Sequence, residues 1–215
     1  MSRYCLQCGK SLKACICRWI QPLESDVELI ILQHSSEQHK PMGTAKILSL
    51  SLPNSALIVG ENFSDNDVLN QLLADEDYRH YILYPSDASE LATQALLNPQ
   101  STNQGLAGDK SHGNKRVRII LLDGTWKKAY KMWQLSSNLQ SLPCIHLPKG
   151  LKGNYRIRKA PSENSLSTVE AGFHILSILQ PERSFSPLLA AFDQMIQFQI
   201  DQMPPGVFEQ NYIKN

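Results

Sequence analysis

The stretch Val117-Arg118-Ile119-Ile120-Leu121-Leu122-Asp123-Gly124-Thr125-Trp126 is the passage on which the reading of this chain turns. Its first six residues are mostly β-branched or leucine with no polar alternation, the pattern of a strand covered on both faces. A polar Asp-Gly-Thr follows, and Trp126 to Leu139 then carries apolar residues at helical spacing. Working outward, similar short apolar runs stand at Val27 to Leu32, Ser55 to Gly60 and His80 to Tyr84, with a weaker one at Cys144 to Leu147. Thr44 to Leu52 and Asn66 to Leu73 show helical spacing between them. Strand-sized runs separated by helices predict an α/β fold with a mostly parallel sheet and helices on both faces.

Two later helices have clear boundaries. Ser167-x-x-Glu170 is a capping box, and Val169, Phe173, Leu176 and Leu179 form one stripe that ends at Pro181. Ser186-Pro187 opens the next helix, whose stripe of Leu188, Phe192, Met195, Ile196 and Ile200 stops before Pro204-Pro205-Gly206. Residues 86 to 114 are rich in Ser, Asn, Gln, Gly and Asp, which predicts an insertion, partly helical near Ala88 to Leu97 and then mobile.

At 215 residues the chain has room for one main domain and a small appendage. No run of about 18 apolar residues occurs, and the N-terminus lacks an apolar leader, so the expectation is a cytoplasmic protein without a membrane span. Net charge is only +1, yet its distribution is uneven. Segments 1 to 20, 115 to 131 and 149 to 159 hold 15 of the 21 Lys and Arg against one acid, Asp123, while 61 to 77 holds six acids and no base. Three basic segments that converge would make a phosphate-facing surface; left apart, they are ordinary solvated faces.

Four of five cysteines fall within thirteen residues: Cys5, Cys8, Cys15 and Cys17. In a reducing compartment such a cluster reads as a metal site, and four thiolates with no open position specify structural zinc. A redox pair or a thiol-rich tail is the other reading. Residues 1–22 thus form a zinc-binding element ahead of a domain at 23–215. Cys144, in an apolar stretch, is predicted to be a core residue.

Asp123 is the residue that carries chemistry. At the carboxyl end of a parallel strand it would stand in the crevice where ligands bind, with the next helix bringing Lys127, Lys128 and Lys131 near it. Taken alone, Asp-Gly-Thr is also an ordinary turn or helix cap.

At these residues the chain resembles the DTW-domain proteins, tRNA-uridine aminocarboxypropyltransferases related to the SPOUT class of RNA methyltransferases. Asp123-Gly124-Thr125-Trp126 matches the signature. The cysteine cluster, Leu32-Gln33-His34 followed by Gly43-Thr44-Ala45, Tyr84-Pro85-Ser86, and Arg158-Lys159-Ala160-Pro161 leading to Leu166-Ser167-Thr168-Val169-Glu170-Ala171 follow family patterns in the same order, over about 170 residues. The departures are Ser35-Ser36 after His34 and Met42 before Gly43.

The resemblance implies a trefoil-knotted core and transfer of the 3-amino-3-carboxypropyl group of S-adenosylmethionine to N3 of a tRNA uridine, position 47 of the variable loop, with no obligate protein partner. Such chemistry needs a carboxylate that either takes the N3 proton or pairs with the donor's amine, and Asp123 is placed in one of these roles, with Glu170 the second choice as base. Trp126 would stack on the uridine or face the sulfonium, or else be core. The donor would lie against Tyr84, Pro85, Ser86, Leu122, Asp123, Gly124, Thr125, Ile145, Leu147, Arg158, Leu166, Ser167, Thr168 and Glu170. The tRNA would be met by His34, Arg116, Lys127, Lys128, Lys131, Lys149, Lys152, Arg156 and Lys159, although a histidine at a strand end is also a common structural residue. A methyl-transferring SPOUT relative and a zinc-bearing RNA-binding module without catalysis are the competing readings; the mass of the group added to tRNA separates the first, and an Asp123→Asn variant with unchanged tRNA modification would support the second.

Overall fold

The computed structural model describes residues 3–97, 115–154, 156–157 and 166–212. Six strands form one sheet in the order β2-β1-β5-β3-β6-β4. They are β1 (Val27–His34), β2 (Ala56–Gly60), β3 (Tyr78–Leu83), β4 (Glu90–Leu91), β5 (Arg116–Asp123) and β6 (Cys144–His146). Every neighbouring pair is parallel. The α/β expectation holds, and the physical cause is visible in β1 and β5. Leu29, Ile31, Ile119 and Leu121 point into one core, whereas Ile30, Leu32 and Ile120 point into the other, so both strands are buried on both faces.

The first core is closed by α1 (Ala45–Ser51), α5 (Thr168–Leu179) and α6 (Ser186–Asp201). The second is closed by α2 (Asp67–Leu73), α3 (Trp126–Leu135) and α4 (Ser137–Gln140), through Leu69, Met132 and Leu139, together with Phe63 from the loop before α2. Ser167 caps α5 with the full capping box, and Pro187 opens α6, as the sequence predicts. A short α7 (Val207–Tyr212) follows Gly206, whose φ of +78° suits glycine and breaks the chain away from α6.

Three sequence expectations need correction. The helix predicted from Trp126 to Leu139 is two helices, α3 and α4, parted at Ser136. Ser136 is fully buried with extended backbone, and its Oγ accepts the Phe63 amide, a tertiary bond that outweighs helix continuity. The partly helical stretch at Ala88 to Leu97 instead holds β4 and one 3-10 turn, Gln94–Leu96, because Glu90 and Leu91 pair with β6; the expectation for 98–114 lies outside the described residues. Cys144 is half-buried at the margin of the second core. Among the described residues no helix is long and apolar enough to cross a membrane.

The sheet order places the site. From β1 the chain runs to β2 on one side, and from β5 it runs to β6 on the other side. Connections that diverge from adjacent parallel strands leave a crevice at their carboxyl ends. The last paired residues there are Gln33 of β1 and Asp123 of β5.

Candidate functional site

Asp123 is 7% exposed and held from two directions. Gln33 Nε2 donates to its Oδ2 at 2.7 Å, and the Thr168 hydroxyl donates to its Oδ1. Neither partner is arbitrary. Gln33 is opposite Asp123 in the register of β1 and β5, and Thr168 is the first residue of α5, delivered by the capping box. The amino end of α5 therefore faces a carboxylate, the sign of charge that its dipole favours. Behind Asp123, Gly124 sits where a Cβ would approach Lys128 Cβ at 3.1 Å, a tight contact that the glycine avoids as the chain turns into α3, and Thr125 then caps that helix.

A cavity of about 700 Å³ opens over this carboxylate, the size of a nucleoside-like small molecule. Of the residues predicted from sequence, Tyr84, Pro85, Leu122, Asp123, Gly124, Thr125, Trp126, Leu147, Lys149, Leu166, Ser167 and Thr168 line it. Trp126 is 54% exposed, which removes the reading of it as core. Sequence reasoning missed much of the opposite wall: Glu37, Lys40, Met42, Gly43 and Thr44 after β1, and Pro148, Gly150 and Leu151 after β6, while His146, the last residue of β6, also lines it. Gly43-Thr44 and the residues beside Leu147 were legible as motif neighbours, but nothing local says that they face the same space.

Ser89 Oγ, which donates to the Ser86 carbonyl at 2.7 Å, lies 3.0 Å from His146 Nδ1 and holds that ring against the cavity. Burial raises the phenol of Tyr84, which stacks on Trp133 at 5.4 Å and 16°.

Several predicted residues stand elsewhere. Glu170 is 3% exposed and outside the cavity wall: Oε2 accepts from Ser167 N and Oγ, and Oε1 accepts from Asn154 N, so it ties the 151–154 segment to α5. Ile145 is buried with its carbonyl taken by the Tyr84 amide, and Ser86 closes a turn with Ser89; neither reaches the cavity. His34 is 8% exposed, its Nδ1 accepting the Ser36 amide and its Nε2 2.8 Å from Glu61, so it orders the loop after β1. Arg116 lies at the opposite end of β5, seven residues or about 23 Å from the crevice, with its guanidinium over Tyr78.

The basic residues gather only in part. Lys149 lines the cavity, and Lys127 and Lys131 are exposed on α3. Lys128 and Lys131 are paired with Glu37 and Glu61. Lys152 and Arg156 are exposed between β6 and α5, whereas Arg158 and Lys159 lie outside the described residues.

The four clustered cysteines fold into a knuckle. Tyr4 bridges Ser11, and Gly9 takes φ +71° to close the turn. All four sulfurs lie within 4.8 Å of one another, a set that could hold a metal ion. Amides of Cys8 and Gln7 directed at Cys5 Sγ pull its thiol down to about 6. Ile16 and Cys8 are buried in the first core, and Trp19 packs on Phe198 of α6, so the knuckle is anchored to the sheet domain. Lys10 joins it to the cavity. Its buried ammonium donates to the carbonyls of Pro41 and Gly43, and burial lowers its basicity.

The chain is 27% identical over 202 residues to the tRNA-uridine aminocarboxypropyltransferase 2 of Mus musculus, a match covering 91% of this chain and 63% of that protein. It is 26% identical over 202 residues to the tRNA-uridine aminocarboxypropyltransferase 2 of Macaca fascicularis, with the same coverage, and 25% identical over 204 residues to that of Drosophila melanogaster, covering 92% of this chain and 75% of that protein. The chain thus spans less than two thirds of the length of the mouse and macaque relatives. No solved structure matches. The DTW domain model matches residues 2–200, nearly the whole sheet domain together with the cysteine knuckle, and the chain therefore belongs to the DTW domain family.

Proposed function

We propose that this chain transfers the 3-amino-3-carboxypropyl group of S-adenosylmethionine to N3 of a uridine in tRNA, at position 47 of the variable loop, releasing methylthioadenosine. The observation that carries this reading is the buried Asp123, gripped by Gln33 and Thr168 at the floor of a cavity large enough for the donor. The names of the relatives support the substrate class.

In the reaction the N3 lone pair forms a bond to the methylene carbon next to sulfur, the carbon–sulfur bond breaks, and its electron pair neutralises the sulfonium. The N3 proton leaves to solvent or a base. The task of the protein is to hold the three reacting atoms in line and to keep the charged ends of the amino acid moiety apart. Asp123, with both oxygens fixed by hydrogen bonds, is suited to anchor the donor's ammonium. The amino end of α5 at Leu166 to Thr168 is suited to the carboxylate. Tyr84, Pro85, Leu147 and the neighbouring backbone form the wall for the adenosine, and Trp126 stands at the mouth for the incoming base.

The cysteine knuckle fits zinc. Tetrahedral bonds of about 2.3 Å require sulfur–sulfur edges of about 3.8 Å, and the Cys5–Cys17 and Cys8–Cys15 separations are 3.7 and 3.8 Å. Zinc held there would be structural, with all four positions filled by protein. On this reading residues 1–22 form the zinc element and 23–215 a SPOUT-like, trefoil-knotted catalytic domain working in the cytoplasm, with the segments after β6 and before α5 as the donor-holding loops.

Incubation with unmodified tRNA and S-adenosylmethionine labelled either in the carboxypropyl carbons or in the methyl group tests the activity; label entering tRNA only from the methyl would overturn it. Asp123→Asn separates the roles of the carboxylate. An anchor predicts that donor affinity falls at least tenfold, whereas unchanged affinity with lost turnover would make Asp123 the base.

A further inference from the structure

The exposed face of α3 is unusual for a solvated helix. Trp126 and Tyr130 are each 54% exposed, four residues apart and therefore in one row. Lys127 and Lys131 stand in the adjacent row, and the helix contains no acid. Helix formation does not require large aromatics on that side, because Ala129 and Met132 supply the buried contacts and Trp133 stacks on Tyr84. Two half-exposed rings flanked by cations lower the free energy of a monomer little, whereas a flat, negatively charged partner could use both features.

Resting on the reading of the cavity as the site of tRNA modification, we infer that the outer face of α3 is a stacking platform for an unpaired RNA strand, with Tyr130 receiving the nucleotide next to the one presented at Trp126. Trp126 lines the cavity and Tyr130 does not, so the row leads from the reaction site outward. Residues four apart on a helix are separated by about 6 Å along its axis. That is wider than the rise of about 3.4 Å between bases stacked within one strand. The rings therefore suit bases splayed apart, as in a loop, and not a continuous duplex. Lys127, which makes no ion pair among the described residues, and Lys131 lie where the phosphates of such a strand would run. Their charge favours RNA over an apolar protein partner. Tyr130 is on this account a positioning residue that holds the flanking nucleotide while the target base enters the cavity.

The test compares the parent with Tyr130→Ala and Tyr130→Phe. The anisotropy of a labelled single-stranded RNA of about ten nucleotides reads affinity without requiring turnover, and a duplex of the same sequence serves as control. Loss of one stacked base corresponds to roughly tenfold weaker binding. Tyr130→Ala is expected to weaken the single strand by about that factor, to weaken the duplex less, and to raise the KM for tRNA more than it lowers kcat. Tyr130→Phe, which keeps the ring, is expected to match the parent. S-adenosylmethionine affinity by calorimetry is expected to stay the same in all three. The inference is overturned if Tyr130→Ala binds single strands like the parent, if Tyr130→Phe is as defective as Tyr130→Ala, or if sedimentation shows that the substitution splits a dimer, which would make this face a protein interface. Failure of the parent to bind the donor would instead overturn the proposed reaction and leave the RNA-binding result to stand on its own.

Discussion

Replacing Gly172 with alanine tests the packing that sets the site. Gly172 lies one turn into α5 after Thr168, and a Cβ there would meet Leu48 Cδ2 at 2.6 Å and Cδ1 at 2.8 Å. Carbon atoms settle near 3.5 to 4.0 Å, so α1 and α5 must separate by about 1 Å or Leu48 must leave its rotamer. Leu48 has no exposed surface, so it can turn only against other core side chains. Overpacking of this kind costs about 1–3 kcal/mol, whereas alanine for glycine inside a helix returns about 1 kcal/mol. The clash is the larger effect, leaving a net loss of up to about 2 kcal/mol. For a domain of this size that lowers the melting temperature by up to about 8 °C. With Leu48→Ala already present the methyl groups are gone, and Gly172→Ala then stabilises by up to about 1 kcal/mol, although Leu48→Ala itself costs about 2–5 kcal/mol. Thermal and urea unfolding of the four proteins in this cycle measures the change of sign. An equal or higher midpoint for Gly172→Ala in the parent would refute the reasoning. The same displacement moves the Thr168 hydroxyl relative to Asp123, so donor affinity is expected to fall alongside stability.

Thr168→Val keeps shape but deletes the hydroxyl that donates to Asp123. A hydrogen bond to a charged group is worth about 1.5–3 kcal/mol, so donor affinity by calorimetry is expected to drop tenfold or more, with Thr168→Ser close to the parent; equal affinities for all three would show that this contact does not organise the site. Elemental analysis is expected to find one zinc per chain, and a chelator is expected to change Trp19 fluorescence and, through Lys10 and the carbonyls of Pro41 and Gly43, to weaken donor binding while the far-ultraviolet circular dichroism of the sheet domain persists. Burial holds His80 and His174 below the usual imidazole range. As pH falls below about 6.5 the unfolded chain takes up their protons first. Stability present above that pH is therefore lost on acidification, and thermal melts from pH 7.5 to 5.0 are expected to show a shallower loss for His80→Gln; parallel curves would assign the acid sensitivity to other groups.

The sheet was readable because burial on both faces leaves a local trace: Ile119 to Leu122 and Leu29 to Leu32 are apolar at successive positions, and no tertiary fact is needed to see it. The capping box at Ser167 and Glu170 is equally local, since its partners are three residues apart. The break at Ser136 was not readable, because the bond that creates it comes from Phe63. The same holds for the site. Asp123 could be placed at a strand end from sequence, but its partners Gln33 and Thr168 are 90 and 45 residues away and meet it only through strand register and the docking of α5. Glu170 and His34 show the converse: chemistry-bearing residues whose polar atoms the fold consumes internally. Sequence by itself determined the class of fold, the cysteine knuckle and the position of the carboxylate, all set by contacts within a few residues. Tertiary structure alone decided which loops face that carboxylate, because the order of strands across a sheet follows from how helices cover its two faces, a property of the whole chain that no single segment encodes.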